Sequence, residues 1–269
     1  MPEMNIGLNV GLNVGLNIGL NISAANCIFE TEFIVQSYET DLRGFARPVA
    51  LLNYLQSAAG EHASLLGVAV TDLRKSGHTW VMSRLHLAME RYPRGGGSVR
   101  VKTWPSGRDT LFTTRDFELF DPAGVLLGTA TTSWAVLSLK TRRPVKLSGV
   151  LPLYPIIKKR ALNDTFTTLP LLEKTEFELC LPVLRGDLDT NRHVNNTVYA
   201  GWALETIPEE IDSTCRLANL EITFRAEALY GDTIVARTAR TDEECYLHRI
   251  ENASDSRELA RLRTRWLPW

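Results

Sequence analysis

The sequence is poor in cysteine and carries almost no net charge, and each shortage excludes a class of protein. Its four cysteines, Cys27, Cys180, Cys215 and Cys245, are widely spaced and form no CxxC pair. This spacing offers neither a disulfide framework nor a thiolate metal site, and it favours a reducing, cytoplasmic compartment. The formal net charge of −1 argues against bulk electrostatic binding to nucleic acid or to a membrane surface. We expect no cofactor, no metal ion and no nucleic-acid partner.

Long apolar runs are also missing, even at the N-terminus. Residues 5–22 repeat Asn-(Ile/Val)-Gly-Leu, so apolar residues alternate with Asn or Gly throughout. This period of two is typical of a strand, and the regularly spaced asparagines argue against a membrane span or a signal peptide. We interpret residues 1–28 as a low-complexity extension outside the folded domain. A strand-adding or self-associating tag is the alternative.

What the chain contains instead is the same order of elements twice. In the first half the patterns predict a strand over 33–38, a helix from Pro48 to Gly67, and strands over 79–91, 98–104, 111–120 and 125–139. In the second half they predict a strand over 176–182, a helix over 197–207 before Pro208, and strands over 217–229, 233–240, 245–251 and 257–266. Residues 148–172 are the predicted linker.

The second predicted helix is apolar around nearly its whole circumference, which is typical of a helix buried on most sides. A curved antiparallel sheet wrapped around such a helix buries it, and this arrangement is the hotdog fold. The sequence therefore predicts an α+β double hotdog, with tandem units at 29–147 and 173–269. The two units would share one continuous sheet.

The most informative segment runs from Asp187 to Glu205. It places Asp189, Asn191 and His193 at alternate positions directly ahead of the second helix. Alternate side chains of an extended chain point the same way, so a carboxylate, an amide and an imidazole are expected on one side. Taken singly, such residues are often turn or cap residues. Together they predict a site at the start of the helix.

This segment, Asp-Leu-Asp-Thr-Asn-Arg-His-Val-Asn-Asn with a following Tyr, Gly-Trp and Glu, resembles the signature of the acyl-acyl carrier protein (acyl-ACP) thioesterases. Segments 79–86, 101–105 and 141–146 resemble the first half of that family. The resemblance extends from residue 29 to the C-terminus. It implies hydrolysis of fatty acyl-ACP to free fatty acid and holo-ACP, in fatty acid biosynthesis.

The resemblance implies four catalytic residues: Asp189, Asn191, His193 and Glu227. Plant members of the family place a cysteine directly after that glutamate, whereas this chain has Ala228, which excludes a thiolate nucleophile there. We expect Glu227 or Asp189 to activate a water molecule, or Asp189 to attack the thioester directly. The Asn191 amide and backbone N–H groups at the helix start would stabilise the oxyanion, with His193 orienting the carboxylate or relaying a proton.

The first half carries Asp41-Leu-Arg-Gly-Phe-Ala-Arg-Pro at the matching place, without the His–Asn pair. We therefore expect one active site per chain, with the first unit lining an apolar tunnel for the acyl chain. Candidates for the lining are Leu51, Leu55 and Ala59, although core packing explains them equally well. Three tryptophans are interpreted as packing residues rather than ligand contacts: Trp80, Trp104 and Trp134.

Acyl carrier protein is acidic, so its docking surface should be basic. Two clusters are candidates for that surface: Arg142, Arg143 and Lys146, or Lys158, Lys159 and Arg160. A homodimer is a further expectation. Two alternative functions stay open at this point. One is an acyl-CoA thioesterase, with the same chemistry and another carrier, and the other is a non-catalytic hotdog module that binds acyl thioesters.

Overall fold

The structure, a computed structural model, describes residues 27–269, so the N-terminal repeat lies outside the described residues. The first unit contains β1 (Phe29–Ile34), α1 (Pro48–Leu65), α2 (Val70–Lys75), β2 (His78–Met89), β3 (Ser98–Arg108), β4 (Phe112–Phe120) and β5 (Leu126–Ser138). The second contains β6 (Phe177–Pro182), α3 (Asn196–Leu204), α4 (Glu209–Thr214), β7 (Cys215–Phe224), β8 (Thr233–Arg240), β9 (Cys245–Asn252) and β10 (Glu258–Pro268).

The strands of both units join in one antiparallel sheet. Its order is β1-β3-β4-β5-β2-β7-β10-β9-β8-β6, so the second unit mirrors the first about the β2–β7 pair. That pair is antiparallel, with register from Arg84↔Thr223 to Ala88↔Asn219. Because the central pairing connects equivalent strands, the two units form a single layer around two helices. The predicted double hotdog is confirmed.

Both long helices are buried against this sheet. Leu51, Leu52 and Leu55 on α1 and Ala200 and Ala203 on α3 are almost fully buried in one core that spans both units. Each large apolar side chain buried in this way contributes about 1.5–3 kcal/mol to stability. The sequence prediction that α3 is buried on most sides is correct. No helix within residues 27–269 is long and apolar enough to cross a membrane.

Several predicted boundaries are wrong, and local hydrogen bonds explain them. The first strand is Phe29–Ile34 rather than 33–38, because Gln36 N donates to Glu39 Oε2 at 2.8 Å and starts a 3₁₀ turn. Strand β7 ends at Phe224 rather than residue 229, because the next two backbone N–H groups both donate to Leu259 O. The six-residue helices α2 and α4 were not predicted, because such short segments show too little periodicity.

The segment between the units crosses the sheet without regular secondary structure from residue 152 to residue 173. Side chains attach it to both units. Arg160 Nε donates to the buried Asp116 Oδ2 at 3.1 Å, and Asp164 Oδ2 lies 2.7 Å from His86 Nδ1. Arg261 Nη1, from the second unit, donates to Leu169 O at 2.8 Å. These contacts hold the segment in place on the sheet.

Candidate active site

The segment from Asp189 to His193 is a closed loop. Asp189 N donates to His193 O at 2.8 Å, and Arg192 N donates to Asp189 O at 3.0 Å. Arg192 has a φ of 65°, in the left-handed region that residues other than glycine rarely adopt. The expectation of an extended segment with three side chains on one side is therefore wrong. Loop closure, rather than strand alternation, brings these residues together.

The Asp189 carboxylate holds the loop from inside. Its Oδ1 accepts hydrogen bonds from the backbone N–H groups of Asn191, at 2.7 Å, and of His193, at 3.2 Å. Its Oδ2 accepts from the Asn191 side-chain Nδ2 at 3.0 Å. One carboxylate oxygen thus fixes the backbone, and the other orients the amide of Asn191.

The amide of Asn191 is held at both ends. Its Oδ1 accepts a hydrogen bond from Arg74 Nη2, which comes from α2 of the first unit. Arginine can only donate and an ionised carboxylate can only accept, so these two partners determine which end of the amide carries the nitrogen. Of the two Nδ2 hydrogens, one is engaged by Asp189, and within residues 27–269 the second has no acceptor and is available to a ligand oxygen.

His193 and Glu227 form the second pair of the site. His193 Nε2 lies 3.5 Å from Glu227 Oε2, and the two side chains are 28% and 36% exposed. Arg142 Nη2 contacts the same carboxylate oxygen from the first unit. Glu227 lies beyond the end of β7, in the turn that leads to β8. The two pairs are joined through the hydrogen bond from His193 N to Asp189.

Tyr199 on α3 positions the turn that carries Glu227. Its hydroxyl oxygen accepts a hydrogen bond from Ala228 N at 2.9 Å, and Val194 N donates to Ala228 O at 3.2 Å. Burial raises the pKa of Tyr199 to about 12, so the phenol stays protonated at neutral pH. The side chain of Ala228 is fully buried, so this position presents no group to a substrate.

The start of α3 supplies one further polar group. Asn195 caps the helix by accepting from Thr197 N at 3.2 Å, and Thr197 Oγ1 donates to Asn53 Oδ1 on α1 at 2.9 Å. The backbone N–H of Asn196 has no hydrogen-bond acceptor within residues 27–269. This unpaired N–H group favours negative charge at the helix start, because such groups carry the positive end of the helix dipole.

A cavity of about 680 Å³ connects the loop with the first unit. Asp189, Asn191 and Asn196 line it at one side, and the C-terminal half of α1, Leu66 and residues 68–71 line it at the other. His193 and Glu227 are not among its lining residues. This volume lies within the range of small-molecule sites, about 300–1,000 Å³. The cavity is the place where a long ligand can lie with one end at the loop.

Of the three residues predicted to line an acyl-chain tunnel, only Ala59 lines this cavity. Leu55 lines a much smaller apolar niche beside it, and Leu51 is fully buried in the core. Trp80 and Trp134 pack edge to face, with ring centroids 6.4 Å apart, and both also line the cavity, so their interpretation as packing residues rather than ligand contacts stays a prediction.

Trp104 does pack as predicted, fully buried with Nε1 donating to Lys159 O at 2.9 Å. Arg115 is a further lining residue that sequence reasoning missed, and its Nη1 lies 2.9 Å from His62 Nδ1. Burial lowers the pKa of Arg115 to about 10, which leaves it charged at neutral pH.

One group of side chains elsewhere has the composition of a metal site. Ligand atoms of His86, Asp164 and Glu221 lie within 4.8 Å of one another, on the sheet near the β2–β7 pair. Protein partners already occupy these atoms: Asn219 Oδ1 lies 3.2 Å from His86 Nε2, and Arg263 binds Glu221. These side chains therefore attach the inter-unit segment to the sheet, and few of their coordinating atoms remain for a metal ion.

The first unit repeats the loop with different side chains. Asp41 Oδ1 accepts from the backbone N–H groups of Arg43 and Phe45, both at 2.9 Å, so Phe45 stands where the second unit has His193. Ala46 N donates to Pro93 O at 2.8 Å, as Val194 N does to Ala228 O, so Tyr92 stands where the second unit has Glu227. Trp269 stacks on Phe45 with ring centroids 4.5 Å apart.

Arg43 also covers the Trp269 ring, with its guanidinium carbon 4.5 Å from the ring centroid. The equivalent place in the first unit is thus filled by aromatic rings and an arginine.

Sequence reasoning missed Arg74, Arg142 and Tyr199 as parts of the site. The tyrosine lies inside the Asp187–Glu205 segment. Its hydroxyl, a polar group on an otherwise apolar helix, was the signal that could have identified it as part of the site. The two arginines reach the site from distant parts of the chain. The sequence marked Arg142 only as part of a basic docking cluster, and no local pattern marks Arg74.

Comparison with known proteins gives a consistent result. The sequence profile of the acyl-ACP thioesterase N-terminal domain matches residues 26–149, and that of the C-terminal domain matches residues 172–268. The chain is 30% identical to oleoyl-acyl carrier protein thioesterase 1 of Arabidopsis thaliana over 273 residues, covering 88% of this chain and 75% of the relative. It is 30% identical to palmitoyl-acyl carrier protein thioesterase of Gossypium hirsutum, covering 90% and 64%.

Solved structures show the same fold. An acyl-ACP thioesterase from Bacteroides thetaiotaomicron superposes with a TM-score of 0.80 at 25% identity, covering 91% of this chain and 100% of that one. The 12:0-ACP thioesterase of Umbellularia californica gives a TM-score of 0.79 at 24% identity, covering 90% and 98%. With both halves matched in sequence and the whole sheet matched in structure, the chain belongs to the acyl-ACP thioesterase family.

Proposed function

We propose that this protein hydrolyses fatty acyl-ACP thioesters to free fatty acid and holo-ACP. The observation that carries the proposal is the placement of Asn191. This residue lies in one five-residue loop with His193, next to Glu227, and it also lines the cavity that extends into the first unit. A thioester carbonyl at the loop would have its acyl chain in the cavity, and its carrier arm would lead to solvent.

In the proposed reaction, water attacks the thioester carbonyl and the carbon–sulfur bond then breaks. Glu227 is the better candidate for the general base. Its Oε1 accepts no hydrogen bond from residues 27–269, whereas both oxygens of Asp189 are occupied within the loop. The proton removed from water passes to the leaving sulfur, with His193, 3.5 Å from Glu227, as the relay. Direct attack by Asp189 would first require the loop to open.

The negative charge that develops on the carbonyl oxygen needs donors. The second Nδ2 hydrogen of Asn191 and the unpaired N–H of Asn196 are the two groups proposed for that role, and both residues line the cavity. Donors fixed in place before the reaction stabilise an oxyanion strongly, and removing one costs about 100-fold to 1,000-fold in kcat. Asn191 is held rigidly by its two side-chain partners, which suits this function.

The carrier protein would dock beside the loop that carries Arg142. Arg143 and Lys146 in that loop are exposed, whereas Lys159 binds Glu118 at 2.5 Å and Arg160 binds the buried Asp116. These contacts favour the first of the two basic clusters as the docking surface for an acidic carrier. A homodimer stays a prediction. The strands that could pair with a second copy are β1 and β6, which form the two outer edges of the described sheet.

The test measures thiol release from acyl-ACP and acyl-CoA substrates with the same acyl chains. The wild type is compared with Asp189→Ala, His193→Ala and Glu227→Ala. We expect rapid release from acyl-ACP and losses of orders of magnitude in folded variants. Faster release from acyl-CoA would favour the acyl-CoA thioesterase. Binding of acyl thioesters without any release by the folded wild type would favour the non-catalytic module.

A further inference from the structure

Arg142 belongs to the first unit, and its side chain contacts Glu227, a proposed catalytic residue of the second unit. Arg142 lies after β5, and its Nη2 contacts Oε2 of Glu227, the oxygen that also lies 3.5 Å from His193 Nε2. The first unit has no catalytic pair of its own, since Phe45 and Tyr92 stand at the equivalent positions. Its contribution to the site is therefore made across the boundary between the units.

The backbone around Arg142 is fixed in a way that presents this side chain. Arg142 N donates to Ser138 O at 2.8 Å, and Ser138 N donates to Arg143 O at 3.0 Å, which closes a tight turn. A bridge between Leu137 and Pro144 continues the pairing beyond the turn. Arg142 itself has a φ of 57°, a left-handed conformation that non-glycine residues seldom adopt. Backbone strain of this kind is typical of functional sites.

We infer that Arg142 is a positioning residue for Glu227 and that the first unit thereby completes the active site of the second. This inference rests on the proposed function. The guanidinium holds Oε2 in place and leaves Oε1 directed to the attacking water. It also balances the negative charge that would otherwise attract the His193 ring more strongly.

The contact is too exposed to act mainly through stability. The two side chains are 59% and 36% exposed, and ion pairs at such positions contribute little to the free energy of folding. The cationic Arg142 and the titratable His193 are the groups in contact with the Glu227 carboxylate within residues 27–269. Tyr199, whose hydroxyl accepts from Ala228 N, lies behind the turn. Removing the guanidinium should therefore change the chemistry of the pair and leave the fold intact.

Arg143 provides a matched control. It is the next residue in the same turn, it is exposed, and no ion pair involving it is present among residues 27–269. Both arginines carry the same charge near the proposed docking surface. A general electrostatic effect on an acidic carrier would therefore affect the two in the same way, and the inference predicts that they differ.

The experiment compares Arg142→Gln, Arg142→Lys and Arg143→Gln with the wild type in steady-state hydrolysis of acyl-ACP across pH. In Arg142→Gln we expect kcat to fall by about 10-fold to 100-fold, with KM changed no more than in Arg143→Gln, because a misplaced catalytic group costs rate rather than binding. The acid limb of kcat/KM should move to higher pH. Arg142→Lys should recover part of the loss, since it restores the charge without the planar fork. Arg143→Gln should change KM alone.

A second measurement does not depend on turnover. The chemical shift of the His193 ring proton is followed against pH by NMR in all four proteins. Without Arg142 the transition should move to higher pH, because the uncompensated carboxylate stabilises the imidazolium. Identical curves and pH–rate profiles in the two glutamine variants would overturn the inference. If the folded wild type hydrolyses no acyl-ACP, the proposed function fails, and the NMR comparison alone decides whether Arg142 controls the Glu227–His193 pair.

Discussion

The carboxylates of Asp41 and Asp189 hold the same loop in the two units. Asp41 Oδ1 accepts from the backbone N–H groups two and four residues ahead at 2.9 Å each, and Asp189 Oδ1 does so at 2.7 and 3.2 Å. The second oxygen differs: Asp41 Oδ2 binds the guanidinium of Arg43, and Asp189 Oδ2 binds the amide of Asn191. The loop of the first unit, which has no proposed catalytic role, is thus held by the same carboxylate–backbone hydrogen bonds as the loop of the proposed site.

Asp189 is therefore predicted to act first as a structural residue of its loop. Asp189→Ala should lower the free energy of unfolding by about 1–3 kcal/mol, because two backbone N–H groups lose their acceptor. Asp41→Ala should cost a similar amount, and only Asp189→Ala should also reduce hydrolysis by about 100-fold or more, through displacement of Asn191 and His193. Chemical denaturation and thiol-release assays measure both effects.

Asp189→Asn separates this role from that of a nucleophile. The variant keeps one oxygen acceptor for the backbone, so it should retain clearly more activity than Asp189→Ala. Equal and complete inactivation of both variants, with the fold intact, would instead support direct attack by the carboxylate.

Tyr199→Phe should weaken both stability and turnover. The variant leaves Ala228 N without its acceptor inside the protein, which costs about 1–3 kcal/mol of unfolding free energy. Because the same hydrogen bond holds the turn of Glu227, kcat should fall while KM changes little. Thermal unfolding and steady-state kinetics test this, and an unchanged kcat would show that the turn is held well enough without the hydroxyl.

Acid should destabilise the protein through His248. Burial lowers the pKa of this ring from 6.5 to about 3, and hydroxyls of Thr238 and Thr264 lie within 2.6 and 2.9 Å of its two nitrogens. Between these two values the unfolded chain binds a proton that the folded protein does not. The contribution to stability is thus complete above about pH 6.5 and is lost toward lower pH at up to about 1.4 kcal/mol per unit.

The control for this slope is His248→Phe. Phe117 is the equivalent residue on β4 of the first unit, which shows that an aromatic ring fits such a position. Denaturation curves at about pH 5 and about pH 7 should differ less in the variant than in the wild type. An equal pH dependence would assign the acid sensitivity to other groups.

Filling the cavity should shorten the preferred acyl chain. Ala63 lines the cavity on α1, and Ala63→Phe introduces a ring into that space. The ratio of kcat/KM for long over short acyl-ACP substrates should fall by about tenfold or more, since each excluded methylene costs about 1 kcal/mol or more. Leu65→Phe is the matched control, because Leu65 lies on the same helix and is 66% exposed. A similar change in both variants would place the acyl chain elsewhere.

Alkylation of cysteine should leave hydrolysis intact. Within residues 27–269 no cysteine lines the cavity, and the residue directly after Glu227 is Ala228. We expect the native protein treated with iodoacetamide to keep its activity while mass spectrometry confirms modification of Cys180, the exposed thiol. Inactivation that follows the modification of a single cysteine would contradict a water-based mechanism.

The sequence alone determined the repeated order of elements and the environment of the second helix. Alternating and helical patterns depend on neighbours a few residues apart, and burial of α3 follows directly from its apolar circumference. The segment from Asp187 to Glu205 marked the place of the site for the same reason, since its residues are adjacent in the chain. Boundaries failed where a side chain competed with the backbone pattern, as at Glu39.

The tertiary structure decided how these residues are held and what reaches them. Asp189 closes a loop because its carboxylate meets two N–H groups there, and period-two spacing contains no information on that closure. Arg74, Arg142 and the cavity walls of Trp80 and Trp134 come from another unit of the fold. Contacts between residues this far apart arise only when the two units join at β2 and β7, because that pairing sets which distant side chains meet.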